Sequence, residues 1–120
     1  MADCIFCKIV SGEIPAEVVW QDDHVLVFRD IRPLAPVHVL IVPRVHRETF
    51  ADLTDADAPV LTSLARAVRE VAEAEGVARS GYRLISNTGP DGGQEVMHLH
   101  VHLIGGRPLG PMLARSGGKV

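Results

Sequence analysis

An excess of positive charge is missing from this 120-residue sequence: 12 Lys+Arg stand against 15 Asp+Glu, a formal net charge of −3. That balance gives no support for sequence-independent nucleic-acid binding, which depends on a basic face, so no nucleic-acid partner is expected. Lysine is almost missing, with only Lys8 and Lys119. The cations are therefore arginines, whose planar fork suits carboxylates and phosphates. This is compatible with an anionic ligand and equally with codon bias. Long apolar runs are lacking too. The longest, VHVLIV at 37–42, is strand length and carries a histidine, so no membrane span is expected. The opening MADCIFCKIV lacks a basic region followed by an apolar stretch and a small-residue cleavage site, so no secretory leader is expected and the chain reads as cytoplasmic. In that reducing compartment its two cysteines, Cys4 and Cys7, are expected as thiolate ligands or free thiols rather than as a disulfide. No repeat, low-complexity tract or linker divides the chain, and 47% hydrophobic with 22% charged residues is an ordinary globular composition. One domain over 1–120 is expected.

The patterning predicts its elements. Ile5, Phe6 and Ile9 share one face of a short N-terminal helical turn. VVWQ (18–21) and VLVFRD (25–30), separated by DDH, read as a hairpin. Two prolines make IRPLAP a loop, and VHVLIVP (37–43) is a third, central strand ended by Pro43. The main helix is expected over roughly 55–75, with Pro59 in its first turn, Leu61, Leu64, Val68 and Val71 as its apolar stripe, and Gly76 ending it. YRLISN (82–87) is a fourth strand, TGPDGGQ (88–94) a loop, MHLHVHLI (97–104) a fifth strand, and 105–120 an irregular tail. Strands and helix segregate, which predicts an α+β fold with a mostly antiparallel sheet of about five strands.

Three of the six histidines stand at alternate positions, His98, His100 and His102. On a strand they share one face, while Leu99, Val101 and Leu103 share the other and can pack on the helix. Three imidazoles need three sets of hydrogen-bond partners, so that face is not ordinary core. Three chemistries remain open on the residues alone. Two histidines at i and i+2 can share a zinc ion with a ligand from elsewhere. Imidazoles beside GGQ can donate to an anion such as phosphate. A histidine can also attack phosphorus and form a covalent intermediate.

The His-φ-His-φ-His-φ-φ pattern at 98–104 resembles the histidine triad (HIT) superfamily of nucleotidyl hydrolases and transferases. DIRPLAPVHVLIVPR (30–44), GYRLISNTGPDGGQEVMHLHVHLIGGRPLGPML (81–113) and the opening IFCKIVSGEIPAEVV resemble its Hint branch. The resemblance implies the HIT fold: a five-stranded sheet, one long helix and a short N-terminal helix. It also implies hydrolysis of purine nucleoside 5′-phosphoramidates and related adenylates, with release of AMP and no catalytic cofactor, by a homodimer. Residue by residue, it makes His100 the nucleophile and His102 the contact to phosphate oxygens. His38 orients the triad, and the Asn87 amide reaches the phosphate or the scissile atom. Gly93 and the backbone at Gln94 and Glu95 form the phosphate loop. Asp30 holds the ribose hydroxyls. Ile5, Phe6, Ile9, Phe28 and Ile31 surround the purine. Many relatives carry Ser where this chain has Glu95, so only a backbone role transfers there. The eukaryotic branch closes its leaving-group side with a C-terminal Trp, whereas this chain has PLGPML and its single Trp20 in the first strand.

Cys4-Ile-Phe-Cys7 lacks the preceding strand that a thioredoxin-like redox site requires. A tetrahedral zinc site needs two further ligands, and His46 and His98 are the candidates. HIT proteins with this CxxC often bind zinc through that set, so the resemblance implies a structural zinc ion. Rival expectations are a dinucleoside-polyphosphate hydrolase or nucleotidyl transferase of the same fold, a weakly catalytic nucleotide- or zinc-binding module, and a catalytic metal at all three triad histidines. His24, in the hairpin turn, is expected in solvent.

Overall fold

β-Branched and aromatic residues build the sheet. In the computed structural model, which describes residues 3–114, β1 (Val18–Gln21), β2 (Val25–Arg29) and β3 (Val37–Pro43) form an antiparallel meander. β4 (Tyr82–Ile85) and β5 (Val101–Gly105) complete five strands in the order β1-β2-β3-β5-β4, every neighbouring pair antiparallel. α1 (Ile5–Ser11) precedes the sheet, and α2 (Ala58–Ala74) lies between β3 and β4. The expected α+β architecture is therefore the one observed. No helix among the described residues is long and apolar enough to cross a membrane.

The central strand β3 matches its expected limits residue for residue, and all seven of its residues are buried. Period-two alternation divides its side chains. Val37, Val39 and Ile41 join Val25, Val27, Val101 and Leu103 beneath α2, which contributes Val60, Leu64, Ala67, Val71 and Ala72. On the other face Leu40 and Val42 join Leu26 and Phe28 and are covered by Phe6 of α1.

Several expectations need correction. The helical stripe was set too wide: Leu64 and Val71 are buried and Val68 is partly so, but Leu61 is 42% exposed. The helix begins at Ala58 after a 3-10 turn at Asp55–Asp57, with Pro59 in its first turn as expected, and that start turns Val60 rather than Leu61 to the sheet. The loop at 88–94 contains one helical turn, α3 (Gly89–Gly92), begun by Gly89 and capped by Gly93 at φ +71° and +79°, angles that a side chain would strain.

A further correction is that β5 starts at Val101, not at 97. Its ladder with β3 begins at the pair Ile41↔Val101, because Pro43 beyond has no N–H to give. The Pro43 carbonyl accepts instead from the His98 ring (2.8 Å), and the Leu99 N–H turns to the Arg47 carbonyl (2.6 Å). β4 likewise stops at Ile85, two residues early. At the chain's end Gly105 still belongs to β5, 106–114 are irregular, and the remainder of the expected tail, 115–120, lies outside the described residues.

Candidate functional site

The triad histidines are buried or half-buried, and each has a fixed ring-nitrogen partner. His100 Nδ1 donates to the His98 carbonyl at 2.8 Å, which leaves its Nε2 with a free lone pair. His38 Nδ1 accepts the Leu34 N–H at 3.1 Å, so the neutral ring carries its proton on Nε2. That Nε2 lies 2.9 Å from His102 Nδ1. His102 Nδ1 is therefore the acceptor, and its own proton sits on Nε2. Register explains the pairing. Leu40 opposes His102 and His38 opposes Ile104, so His38 and His102 are diagonal neighbours on one face.

Burial acts on these rings first. It lowers the proton affinity of His38, against the pull of the Asp30 carboxylate. It pushes His102 down to about 4, helped by the neighbouring His100 and His38 and opposed by Asp30. At neutral pH both are uncharged hydrogen-bonding groups. The Asp30 carboxylate is held by the Arg32 N–H on Oδ1 (2.8 Å), and its Oδ2 stands 3.4 Å from His38 Nε2.

These residues open onto a cleft of about 420 Å³, walled by Phe6, Asp30, His38, Asn87, Gly93, Glu95, His100 and His102 among those the sequence singled out. Phe6 lies edge-on to His100, ring centroids 5.0 Å apart, and also meets His98 at 6.0 Å, so the side-by-side placement of these histidines persists without a strand ladder. Ile5, Ile9, Phe28, Ile31 and Gln94 are not in this wall. Phe28 is buried beneath Phe6, Ile9 packs on the same cluster, Ile5 is 45% exposed, and Ile31 is 92% exposed. Arg32, Leu34, Leu40 and Val96 line the cleft and were missed. Leu40 was deducible, two residues along the strand from His38. The other three come from loops, whose paths no periodicity gives.

The glycine loop does less for an anion than its composition suggests. The Gly93 N–H is given to the Pro90 carbonyl and the Gln94 N–H to the Gly89 carbonyl, both at 3.1 Å. The Gln94 side chain is a brace: it accepts the Gly89 N–H and donates to the Glu48 and Val96 carbonyls. Side-chain donors for an anion on the cleft wall are the His102 Nε2–H, the Asn87 amide and the Arg32 guanidinium.

Beside the cleft, Cys4, Cys7, His46 and His98 offer four ligand atoms within 4.8 Å of one another. Cys4 Sγ lies 3.3 Å from His98 Nδ1, and Cys7 Sγ lies 3.3 Å from His46 Nδ1 and 3.5 Å from His98 Nδ1. Tetrahedral ligands at zinc bond lengths stand ~3.6 Å apart, sulfur to nitrogen, so the donor set fits. His98 is prepared for such a role, because its Nε2 donates to the Pro43 carbonyl and its Nδ1 keeps the lone pair. Cys4 caps α1 and its sulfur accepts the Cys7 N–H at 3.2 Å. His24 is exposed, as expected.

Fold and site together define a histidine-triad nucleotide-type site on an open antiparallel sheet. The HIT domain family model matches residues 11–109, and the chain belongs to the HIT family. It is 50% identical over 115 residues to the purine nucleoside phosphoramidase of Escherichia coli (strain K12), covering 96% of this chain and 97% of that protein. A 14 kDa zinc-binding protein of Brassica juncea is 47% identical over 110 residues, 89% of this chain and 96% of the relative. Among solved structures, a HIT family hydrolase from Clostridium thermocellum superposes with a TM-score of 0.90 at 42% identity, covering 95% of this chain and 99% of that one.

Proposed function

We propose that this chain, as one HIT domain over 1–120, hydrolyses purine nucleoside 5′-phosphoramidates and related adenylates and releases AMP. The observation that carries the reading is the His100 ring. Its Nδ1–H is tied to a backbone carbonyl, so its attacking lone pair lies on Nε2, in a cleft that also holds an N–H donor on His102. His100 Nε2 attacks the α-phosphorus as the P–N bond breaks, and the amine leaves with a proton that the substrate nitrogen takes up from solvent, giving AMP–His100; the water that hydrolyses this adduct returns one proton to solvent. Water then attacks phosphorus, the P–Nε2 bond breaks, and AMP is released. His102 Nε2–H and Asn87 hold the phosphoryl oxygens as charge builds. Asp30 holds the ribose hydroxyls, and Phe6 and Leu40 supply apolar wall near the purine. Glu95 adds a carboxylate to the rim, so its side chain has no attractive role toward phosphate. Intact-mass analysis after brief incubation with an adenosine phosphoramidate tests this. The expected result is an AMP adduct on His100 that is absent from His100→Ala; undiminished turnover by that variant overturns the assignment.

The Cys4, Cys7, His46 and His98 set would hold a structural zinc ion, which supplies a tie between the start of α1, the segment after β3 and the triad. Elemental analysis is expected to give one zinc per chain, and chelation is expected to lower stability while folded protein keeps its activity. A fall in activity of the folded fraction in step with zinc loss would favour a catalytic metal instead.

A homodimer acting in the cytoplasm completes the reading. β4 is an edge strand with a single neighbour; its Tyr82 and Leu84 are 38% and 47% exposed, and Phe50, which lines one hollow with Leu84, is 42% exposed. Beside them lies an apolar hollow of about 310 Å³ between α2 and β4. Open edges and contiguous apolar patches are where subunits join. Light scattering is expected to give twice the chain mass, and Leu84→Arg to give the monomer.

A further inference from the structure

The loop between β2 and β3 grips His38 from two sides. The Leu34 N–H fills its Nδ1, and the Asp30 carboxylate flanks its Nε2 at 3.4 Å. His38 is 4% exposed. Its single ring proton points at His102 Nδ1, 2.9 Å away. Asp30 meanwhile forms part of the cleft wall and is anchored there by the Arg32 N–H. One carboxylate thus faces both the open cleft and the concealed side of the His38–His102 pair.

We propose that Asp30 is a positioning residue as well as a sugar ligand: ribose hydroxyls that engage it settle the His38–His102 pair, so that recognition of the sugar prepares the N–H that meets the phosphate. The inference rests on the reading of Asp30 as the ribose carboxylate. The chemistry is electrostatic. A free carboxylate beside His38 favours positive charge on the pair and competes for the His38 proton. Two hydroxyl donors on Asp30 spread its charge and occupy its lone pairs. The His38 Nε2–H is then left wholly to His102 Nδ1, and the His102 proton is held on Nε2, facing the phosphoryl oxygens. Around His102 the other titratable or charged groups are His100 on its own segment and Arg32 and Glu95 on the cleft wall; its cross-strand partners, Leu40 on β3 and Ile85 on β4, are apolar. Asp30 is the carboxylate whose contact with the pair a sugar can change.

The consequence is that the sugar diol acts on the chemical step and not on binding alone. Turnover of adenosine 5′-phosphoramidate and its 2′,3′-dideoxy counterpart separates the two. In the unsubstituted protein, loss of the diol is expected to raise KM and also to lower kcat on the order of ten-fold, the scale of a misaligned catalytic donor. In His38→Gln the diol's effect on KM is expected to remain while its effect on kcat shrinks to within about two-fold. A diol effect confined to KM, or one on kcat of equal size in His38→Gln, overturns the coupling while leaving Asp30 as a sugar ligand. No diol effect on either constant removes the sugar-ligand reading and the coupling with it. A measurement on the unsubstituted protein decides the matter should His38→Gln fail to fold. Imidazole ¹⁵N resonances of His38 Nε2 and His102 Nδ1 are expected to move with saturating adenosine and to stay in place with 2′,3′-dideoxyadenosine. Equal movement with both nucleosides, or none with either once bound, overturns the proposal.

Discussion

The two faces of the sheet differ in what they ask of a side chain. Beneath α2 the contacts are apolar, from Val25 to Leu103, and Ser63 is the fully buried polar exception, its hydroxyl given to Asp22 at 2.7 Å. The opposite face has a small apolar cluster, Phe6, Leu26, Phe28, Leu40 and Val42, and beside it lie His38, His98, His100 and His102. The first face is interchangeable material shaped by volume. On the second each ring has an assigned proton, and a conservative change of size does not preserve it. Stability and chemistry are thus divided across one layer of backbone about as thick as a strand.

Substitutions on either face test that division, beginning with the largest effect. His100→Ala is expected to lower kcat/KM by ~10⁴-fold or more, the scale of losing a nucleophile, while the melting temperature shifts little; a loss below ten-fold would merge the two faces in function. Ile41→Ala, on the helix side at 0% exposure, is expected to cost about 3 kcal/mol in denaturant unfolding and to leave kcat within about two-fold where the protein is folded. Cys4→Ser is expected to lower the melting temperature by roughly 5–10 °C, with activity of the folded fraction retained, because the tie it removes lies on the histidine side but outside the cleft.

The smallest effect is on pH. His38 and His102 have folded proton affinities below the ordinary histidine value of 6.5, His102 at about 4. The unfolded chain therefore takes up protons first, and stability that is full above about 6.5 is lost as pH falls toward 4. Urea midpoints at pH 7 and pH 4.5 measure the slope, which His102→Gln is expected to flatten. An unchanged slope would mean that the histidine face is as indifferent to protons as the helix face.

The helix face was the easier of the two to read from sequence. VHVLIVP gave β3 its limits because an apolar, β-branched run bounded by prolines has one reading. Leu61 was misplaced because spacing alone does not say how far around a helix the covering sheet extends. On the histidine face the residue types were readable and their support was not. The start of β5 depends on Pro43, a strand away, having no N–H to pair. The resemblance puts the Gln94 backbone in an anion loop; in the structure that N–H goes to the Gly89 carbonyl, and the side-chain amide braces the Gly89, Glu48 and Val96 backbone. Arg32 and Leu34 reach the cleft only because the proline loop returns toward β3, a path set by long-range contacts.

The partners that orient the site's rings are mostly peptide groups: the Leu34 N–H on His38, the Pro43 carbonyl on His98, and the His98 carbonyl on His100. Every amino acid carries a carbonyl, and every one but proline carries an N–H. A scan that replaces side chains one at a time therefore leaves these contacts in place, and only proline at position 34 can erase one. Related chains are free to change the letter at 34 to any residue but proline without losing the proton arrangement on His38, so long as the path of the backbone is kept. The most durable part of the active site's heredity is thus written in the course of the chain, where a comparison of residue identities does not see it.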